Sequence, residues 1–584
     1  MIVIHAAWRR TLVRAPWCGS VVLLPLALTP CAALAQTASQ ITPPSFAPPP
    51  ARAGAPVVIP EGAGAEAPAG SDAIDVRLTN VVLDGATDPA ALAELRAALV
   101  GQPVKVSAIF AAAHAIEARY ARAGRVLTRV VVPAQRLVDG ATLRLVFVDG
   151  YIERVDVSRL PAKVRHVIEA RLRPLAGVHG LTLAAIERSL LLAADVPGVA
   201  LRSTLAAGSQ PGATLLVIEG TQRSVTGYVT LDNTLPSSLG RLSYGIGINF
   251  NSVLGAGELI YLRASGLPNG GNGTSVLDAT PRDRSLAGGV IVPLGHDGLS
   301  LIVEGTDART APRHSRGQPG FGSRFDRVSA SIRYPVVRTR ALSLSGELSF
   351  DAQEERVRII DPVVLPLSLD RLRIARAGTT ASVALPKRGI FTGHAQASFG
   401  MNGLGARSAS DATATLPLSR SGAQANFHKI EADATIDQPI ATHATIALRG
   451  HAQTAFGQAL GNSEQIGIAT NDGLSPLGSS ALQGDSGFIG RAELRAPFGL
   501  PLRGGFGEIA PYGFGAYGQV HFTRPTALER ATTDASAYGA GLRFYAAARD
   551  GSPGINASVE VGRAHVEGLA GRPSRVSFTF ALRF

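Results

Sequence analysis

The chain has 584 residues, a formal net charge of +12 and 46% hydrophobic residues. It is too long for one compact soluble domain, yet after the N-terminus it has no run of about 20 apolar residues that would form a transmembrane helix. The basic residues are mostly arginines scattered through alternating stretches beside Gly, Ser or Thr, a pattern that favours a polar inner wall and disfavours nucleic acid as a partner.

Residues 1–35 have the pattern of a secretory signal peptide. A positively charged start and an apolar core precede a small-residue cleavage site at 33–35, just before Gln36. A lipoprotein site at Cys31 is the alternative, although a proline and not a small residue precedes it. Cys18 and Cys31 both lie in this segment, so the mature chain is predicted to have no disulfide and no thiol chemistry.

Residues 36–73 are rich in Ala, Pro and Gly. Proline is excluded from helix interiors and favours extended coil. We therefore expect a mobile linker over this range.

Two units of about 70 residues follow, over 74–150 and 151–220. The elements predicted in the first unit are a strand over 74–83, helices over 89–99 and 106–123, and strands over 126–132 and 142–148. The second unit repeats this β-α-α-β-β order, with helices at 162–171 and 183–194. The repetition indicates a tandem module.

From residue 221 onward the sequence contains only strands, turns and loops, with sixteen predicted strands. In the last strand, five apolar residues recur at every second position and end on Phe584. This period places large apolar side chains on one face and small or polar ones on the other. The pattern suits a transmembrane antiparallel β-barrel, whose outer face meets lipid and whose inner face meets water. An ordinary half-buried terminal strand is the alternative.

The spacing of the strands gives an internal test of the barrel. Gaps after odd-numbered strands are long, up to 35 residues at 452–486, and gaps after even-numbered strands are short. Outer-membrane barrels have short periplasmic turns and longer outside loops. With the two modules in the periplasm, the first strand runs outward and the gap after it is an outside loop, so the spacing agrees. A porin would show the same parity, so the spacing supports a barrel without indicating a transporter. Sixteen strands leave a water-filled bore.

The first unit contains short motifs with a specific spacing. They are Gly85-Ala86-Thr87, Tyr120 followed by Gly124, Pro133 followed by Gln135, and Asp139-Gly140. They resemble the first POTRA domain of two-partner secretion transporters, the TpsB or ShlB/FhaC/HecB-like haemolysin secretion/activation proteins, whose superfamily includes BamA. With the second unit and the barrel, the resemblance covers about residues 74–584. It implies a mainly β fold with two periplasmic POTRA domains, at 74–150 and 151–220, before a barrel at 221–584.

In the TpsB family, the longest barrel loop folds back into the pore, and an arginine at its tip pairs with an acid in the strand pattern Phe-x-Asp-x-Gly. Loop 452–486 resembles this loop. The residues that the resemblance identifies are Gly473, Leu474 and Ser475 at the tip, Gly484, Asp485 and Gly487 near its end, and Phe514, Ala516 and Gly518 on the facing strand.

Two of these positions depart from the family pattern. Ser475 stands where the family has the arginine, Ala516 stands where it has the acid, and no arginine occurs from 452 to 486. Removing one member of a buried ion pair costs about 3–5 kcal/mol, whereas removing both can be nearly neutral. We therefore expect the loop to enter the lumen and to be held there by neutral hydrogen bonds and packing. The alternative is a long surface-exposed loop.

Other chemistry is poorly supported by the sequence. Ser486 and His114 lie in segments that resemble the nucleophile and base segments of chymotrypsin-like proteases, but they fall in different domains and cannot form a triad. The histidines have no metal-ligand spacing, and no glycine-rich phosphate loop precedes a lysine. We expect no enzyme activity, no cofactor and no metal. Arg119, Arg122 and Arg125 form either a solvated helix face or a surface for an acidic client.

The resemblance implies a monomeric translocator in the outer membrane of a Gram-negative bacterium. Its expected partners are outer-membrane lipid and a large secreted β-helical exoprotein of the adhesin or haemolysin type. The exoprotein would bind unfolded in the periplasm and leave through the pore. One alternative is an insertion or assembly factor of the same superfamily. A passive diffusion porin is an alternative of another class, but a porin needs no POTRA modules. The Phe584 ending also resembles the signal by which outer-membrane barrels are recognised for assembly.

Overall fold

The computed structural model describes residues 36–43, 45, 67–85, 88–210, 212–266, 275, 277–479, 481–527, 529–549 and 553–584. The predicted signal peptide with both cysteines, most of the predicted linker, and Ala86 and Thr87 lie outside the described residues. No helix within these ranges is long and apolar enough to cross a membrane.

The part of the chain before the barrel forms two modules and a short N-terminal helix. The helices are α1 Ala38–Ile41, α2 Pro89–Leu99, α3 Val106–Arg122, α4 Ala162–Leu172 and α5 Leu183–Ala194. The strands are β1 Asp75–Arg77, β2 Asn80–Asp84, β3 Pro103–Lys105, β4 Arg129–Val131, β5 Thr142–Val148, β6 Tyr151–Arg159, β7 Val199–Ala207 and β8 Ala213–Gln222.

Module 1, residues 74–150, packs α2 and α3 on a three-stranded sheet of order β2-β5-β4. The strand predicted over 74–83 is divided, because β1 pairs with β3 in a separate two-stranded sheet while β2 pairs in parallel with β5. Leu95 and Ile116 from the helices and Leu143 and Leu145 from the central strand are almost fully buried in one core. This core fixes the positions of both sheets.

The sequence motifs of module 1 support its fold. The Tyr120 hydroxyl donates a hydrogen bond to Asp88 at 2.8 Å, and this bond is the main cause that lowers the pKa of Asp88. Asp88 in turn caps α2 by accepting from two backbone N–H groups. Gly124 ends α3 with a φ of 86°, and Gln135 exchanges two hydrogen bonds with the backbone of Arg144. These residues therefore connect the helices to the sheet.

Module 2, residues 151–222, has the same topology, with a sheet of order β6-β8-β7 and the helices α4 and α5. In both modules the central strand pairs in parallel with the first strand of the sheet and antiparallel with the other. Ile152, Ile168 and Leu216 are fully buried in its core. The repeat seen in the sequence thus corresponds to a repeat of the fold.

The remainder of the chain forms a closed barrel of sixteen antiparallel strands, which confirms the predicted fold class. Two short strands, β20 Ile466–Gly467 and β21 Gln483–Gly484, pair with each other inside one loop. The barrel strands are β9 Val225–Asp232, β10 Ser243–Asn251, β11 Leu259–Gly266, β12 Asp283–Pro293, β13 Ser300–Thr310, β14 Gly320–Arg338, β15 Leu342–Asp361, β16 Leu365–Leu385, β17 Gly389–Gly400, β18 His428–Ala441, β19 Ala444–Thr454, β22 Ser486–Arg495 with its continuation β23 Phe498–Leu502, β24 Gly505–His521, β25 Thr532–Ala548, β26 Gly554–Val566 and β27 Ser574–Arg583.

The last strand closes the barrel against the first. Five residues of β27, from Thr579 to Arg583, pair with β9 from Asp232 to Tyr228. The backbone of Phe584 then exchanges hydrogen bonds of 2.9 and 3.0 Å with Gly227. The terminal phenylalanine therefore lies at the closing pair, where a side chain on Gly227 would collide with its ring.

Module 2 contacts the end of the barrel that carries the short turns. Arg338, at the end of β14, forms an ion pair with Asp195 at 2.8 Å. Arg188 of α5 donates to the carbonyl of Pro335 at 2.9 Å and pairs with Asp297 at 3.1 Å. We call this end of the barrel the module end and the opposite one the far end.

Asp297 lies in the turn between β12 and β13. Its carboxylate accepts a hydrogen bond of 2.5 Å from the Tyr334 hydroxyl. This bond, together with Arg188, holds the pKa of Asp297 below its ordinary value, against the opposing effect of partial burial. The carboxylate is therefore charged where module 2 meets the barrel.

The N-terminal segment, residues 36–43, differs from the mobile linker predicted over 36–73. It enters the barrel lumen, where Ala38 is fully buried against Ala308 and Phe325. The backbone N–H of Ser39 donates to Glu355 at 3.1 Å, and its hydroxyl donates to the same carboxylate at 2.9 Å. These polar contacts satisfy free backbone N–H groups at the start of a helix that has only one turn. The composition of the segment alone does not indicate such a helix.

Candidate functional site in the barrel lumen

The long loop between β19 and β22, residues 455–485, folds back into the barrel. Apolar loop side chains pack on inward-facing side chains of the wall. Those from the loop are Ile466, Ile468, Ala469, Leu474 and Leu477, and those from the wall are Ile489, Tyr512, Phe514, Ala516, Val520, Ala535, Ala537, Ala564 and Val566. We call this segment the lumen loop, because this apolar cluster lies on the inner face of the barrel.

A wall arginine reaches the tip of the lumen loop. Arg491 of β22 donates to the Ser475 hydroxyl at 3.0 Å and to the backbone carbonyl of Gly473 at 3.3 Å. Its side chain is only 1% exposed, and the guanidinium carbon lies 3.7 Å from the centre of the Phe514 ring. A buried guanidinium of this kind requires compensating charge.

Two glutamates provide that charge. Arg491 pairs with Glu560 of β26 at 2.5 Å and with Glu493 of its own strand at 2.8 Å. Glu560 also accepts hydrogen bonds from the hydroxyls of Tyr512 and Ser475. The loop tip is therefore fixed to three separate strands by one connected polar network.

The second glutamate joins further arginines to this network. Glu493 pairs with Arg495 at 2.8 Å and with Arg543 at 2.9 Å. The wall beneath the loop thus carries Arg491, Arg495 and Arg543 against Glu493 and Glu560. The sequence predicts that neutral hydrogen bonds and packing hold the loop; the packing is present, but a charged guanidinium from the wall also binds the tip.

Asp485 organises the end of the lumen loop. Its side chain is fully buried and accepts hydrogen bonds from the backbone N–H groups of Leu460 at 3.0 Å and Thr523 at 2.8 Å, and from the amide of Gln465 at 3.2 Å. Arg420 approaches it at 3.6 Å. One carboxylate therefore joins the start of the loop, its end and the following far-end loop.

A second buried ion network holds the start of the loop. Glu464 pairs with Arg376 at 2.7 Å and with Lys429 at 3.1 Å. Arg376 also pairs with Asp351 at 2.6 Å. Because Arg376 lies on β16 and Lys429 on β18, this network fixes the loop to strands other than those that hold the tip.

The lumen loop and the N-terminal segment touch each other. The side-chain amide of Gln40 donates to Gln483 of β21 at 2.5 Å. Glu355, which binds Ser39, lies on β15, next in the wall to the strands that hold Glu464. The two segments therefore occupy the lumen together, and displacement of one removes a contact from the other.

The residues singled out in the sequence fall into two groups. Gly473, Leu474, Ser475, Phe514 and Ala516 meet at the loop tip, where Ser475 and Ala516 are 5% and 8% exposed. The others lie where backbones approach closely: a side chain on Gly487 would collide with the Gln519 carbonyl, one on Gly484 with His521, and one on Gly518 with the Phe488 carbonyl.

Sequence reasoning missed the partners of the loop. Arg491 and Glu493 stand in a strand that resembles the family's Glu-Leu strand, but no contact with the loop was predicted for them. Glu560 lies 69 residues further along the chain. The signal in the sequence was the alternation along β22, where the charged residues Arg491 and Glu493 alternate with outward-facing residues that carry no charge. Ser486 and His114 are not brought together, because Ser486 bonds to the backbone of Ala455 in the barrel and His114 lies on α3.

Comparison with known proteins supports this architecture. Residues 212–544, more than half of the chain, match the family described as haemolysin secretion/activation protein ShlB/FhaC/HecB. Residues 76–150 match the ShlB-type POTRA domain. Module 2 lies outside that second match, so its assignment as a POTRA domain stays a prediction. No curated protein matches the chain.

Solved structures share the fold. CdiB from Escherichia coli is 18% identical, with 90% of this chain and 93% of that chain covered and a TM-score of 0.66. CdiB from Acinetobacter baumannii is 14% identical, with coverages of 91% and 95% and a TM-score of 0.58. BamA from Haemophilus ducreyi lacking POTRA domains 1-3 is 11% identical, with coverages of 88% and 100% and a TM-score of 0.51. With its ShlB-type POTRA domain, sixteen-stranded barrel and family match over most of the barrel, the chain belongs to the ShlB/FhaC/HecB family of haemolysin secretion/activation proteins.

Proposed function

We propose that the chain binds an unfolded, β-prone exoprotein in the periplasm and secretes it through the barrel pore, in type V two-partner secretion. The observation that carries this proposal is the presence of two segments of the chain inside the barrel lumen. Both segments are attached to the wall by noncovalent contacts. A sixteen-stranded barrel is wider than its own side chains fill, so displacement of these segments leaves a passage for an extended polypeptide.

The modules supply edges for an incoming chain. In module 1 the strands β2 and β4 flank the central strand, and in module 2 β6 and β7 do so. An extended client adds to such an edge through main-chain hydrogen bonds, which are independent of sequence. A client that later folds into β-structure is suited to this mode of recognition.

The orientation follows from the position of the modules. They lie at the module end, where the turns are short, and short turns are periplasmic in outer-membrane barrels. The far end, with its long loops, then faces the outside of the cell. We infer that folding of the exoprotein outside drives its export, with no covalent step in the transporter.

Removal of module 1 tests this role. We expect deletion of residues 74–150 to reduce export of the client to background, because the first binding edges are lost, while the barrel keeps its heat-resistant mobility on electrophoresis. Secreted client is measured in the culture medium against intracellular client. The control is Arg316→Gln in the exposed loop between β13 and β14, which should export normally.

Export that persists without module 1 contradicts the proposal. The same strains distinguish the alternatives. An insertion factor predicts a fall in the amounts of other outer-membrane barrels, and a porin predicts loss of small-solute uptake with no effect on any exoprotein.

A further inference from the structure

The outer surface of the barrel over β12–β16 changes from apolar to charged at one height. On β14 the outward-facing residues between Val336 and Val328 are apolar or aromatic, and Asp326 and Arg324 follow. The nine residues from Val328 to Val336, in a strand tilted by about 45°, span about 21 Å, close to the apolar band of about 25 Å in outer-membrane barrels. The first charged residues therefore lie where hydrocarbon meets headgroups, at the far end.

Four arginines stand side by side above this band. Cross-strand pairing places Arg284 opposite Arg309, Arg309 opposite Arg324, and Arg324 opposite Arg356. Like charges directly opposite each other destabilise a sheet. A row of four arginines on neighbouring strands thus indicates a role other than stabilising the sheet.

The next row toward the membrane holds carboxylates. Asp307, Asp326 and Glu354 are cross-strand neighbours, and Arg371 follows Glu354. Asp307 pairs with Arg284 at 2.7 Å, and Glu354 pairs with Arg371 at 2.7 Å. These bonds hold the guanidinium planes in place at the wall. Arg324 and Arg356 stay the most accessible of the row, with side chains 50% and 59% exposed, whereas Arg284 is buried.

The charges do not balance. We define the arginine patch as the six arginines and three acids of this surface, which are Arg284, Arg309, Arg324, Arg356, Arg371, Arg373, Asp307, Asp326 and Glu354. Six guanidinium groups against three carboxylates leave a surplus of three positive charges. An anion that carries more than one negative charge can neutralise this surplus.

An apolar trough of about 730 Å³ lies in the wall beneath the patch. Its floor is the cross-strand pair Gly288 and Gly305, where no side chain covers the backbone. Leu262 and Val328 form its sides, at 56% and 59% exposure, and Glu354 is among the residues at its charged end. The trough has the chemistry of a site for an alkyl chain that ends at a charged group.

The other side of the barrel differs. Towards the far ends of β22, β24 and β25 the outward-facing residues are Phe488, Tyr517 and Tyr538, which are exposed and neutral. Aromatic residues of this kind form the usual girdle of a membrane barrel. The arginine patch is therefore a local feature and not a property of the whole boundary.

We propose that the arginine patch and the trough bind an anionic glycolipid of the outer leaflet. One acyl chain lies in the trough, and a phosphate on the acylated sugar headgroup binds the arginines. Arginine binds phosphate through paired N–H donors, and a phosphate monoester carries close to two negative charges. The inference rests on the orientation proposed above, in which the far end faces outward.

Lipid binding to the purified full chain tests this site. The chain in detergent is titrated with a bis-phosphorylated, multiply acylated diglucosamine, with the same lipid after removal of its phosphates, and with phosphatidylethanolamine. Retained lipid is counted by native mass spectrometry. We expect one tightly retained molecule of the phosphorylated lipid, and at least tenfold weaker retention of the other two.

Two variants separate the parts of the site. Arg309→Gln/Arg324→Gln/Arg356→Gln should weaken binding of the phosphorylated lipid at least tenfold. Gly305→Leu should weaken all acylated lipids, because a side chain there enters open space in the trough without a clash. The matched control is Arg563→Gln, an exposed outward arginine on β26, which should bind as the parent does.

Folding is checked by the heat-resistant electrophoretic mobility of each variant, and Arg356→Gln alone replaces the triple variant if that one fails to fold. Equal retention of phosphorylated and dephosphorylated lipid overturns the proposal, as does unchanged binding by the arginine variant. Export is not measured in this experiment, so failure of lipid binding leaves the translocation proposal standing. Loss of export in the deletion test does not alter lipid retention.

Discussion

The guanidinium of Arg491 binds the tip of the lumen loop from the barrel wall. The resemblance predicts that Ser475 and Ala516 stand where the family pattern has an arginine on the loop and an acid on the wall. Ser475 instead shares Glu560 with Arg491. The chain thus keeps a buried guanidinium at the tip with the opposite connectivity, and the loop supplies only a hydroxyl and backbone carbonyls.

A substitution that restores the family arginine should therefore be harmful. Ser475→Arg places a second guanidinium beside Arg491 in a buried site, where an uncompensated charge costs about 3–5 kcal/mol. We expect faster proteolysis of the lumen loop and a lower unfolding midpoint in urea. Ser315→Arg, in an exposed far-end loop, is the control and should change neither. A Ser475→Arg protein as resistant as the parent would contradict the assigned role of Arg491.

The loop tip also shows which residues could be identified from the sequence and which could not. The resemblance identified Ser475 and Ala516 because they stand in a spaced motif. Arg491 and Glu560 are 69 residues apart and meet only because β22 and β26 face the lumen at one height. Such pairs depend on barrel closure, which no local pattern encodes.

At the scale of elements, the periodicity of apolar residues in the sequence predicted the strands and helices. Both helix pairs and all sixteen barrel strands were predictable, because one face of each element is apolar and the other polar. The N-terminal helix was not, since its four residues are stabilised by Glu355 and the buried Ala38 and not by intrinsic propensity. The division of the strand over 74–83 likewise depends on its pairing with β3.

The contact between module 2 and the barrel makes a prediction at this scale. The pKa of Asp297 is below its ordinary value of 3.8, so its contribution is complete above that value and is lost only as pH falls through the lower pKa of the folded state. We expect hydrogen exchange of α5 to keep the same protection from pH 5 to 8, after correction for the intrinsic rate. Asp297→Asn should reduce this protection across the whole range, and Asp278→Asn, in an exposed far-end segment, should not. Protection that fell between pH 8 and 5 would argue against an Asp297 contact.

At the scale of the whole molecule, two parts of the chain that contact each other occupy the lumen. Deletion of residues 36–43 removes the contacts to Ser323, Glu355 and Gln483 but leaves the ion networks of the lumen loop. We therefore expect a larger single-channel conductance or longer openings in planar bilayers, short of a fully open bore. A deletion of equal length at 53–60 is the control. Unchanged conductance would mean that the lumen loop alone limits the passage.

The N-terminal segment has one more consequence, because it stays covalently joined to module 1 through residues 44–73. Those 30 residues can reach at most about 100 Å, so a segment that leaves the lumen remains in its neighbourhood. Its return is an intramolecular event, with an effective concentration in the millimolar range for short connections. Dilution of the protein should leave the occupied fraction of the lumen unchanged, and a free peptide with the sequence of residues 36–43 should compete only at comparable, millimolar concentrations.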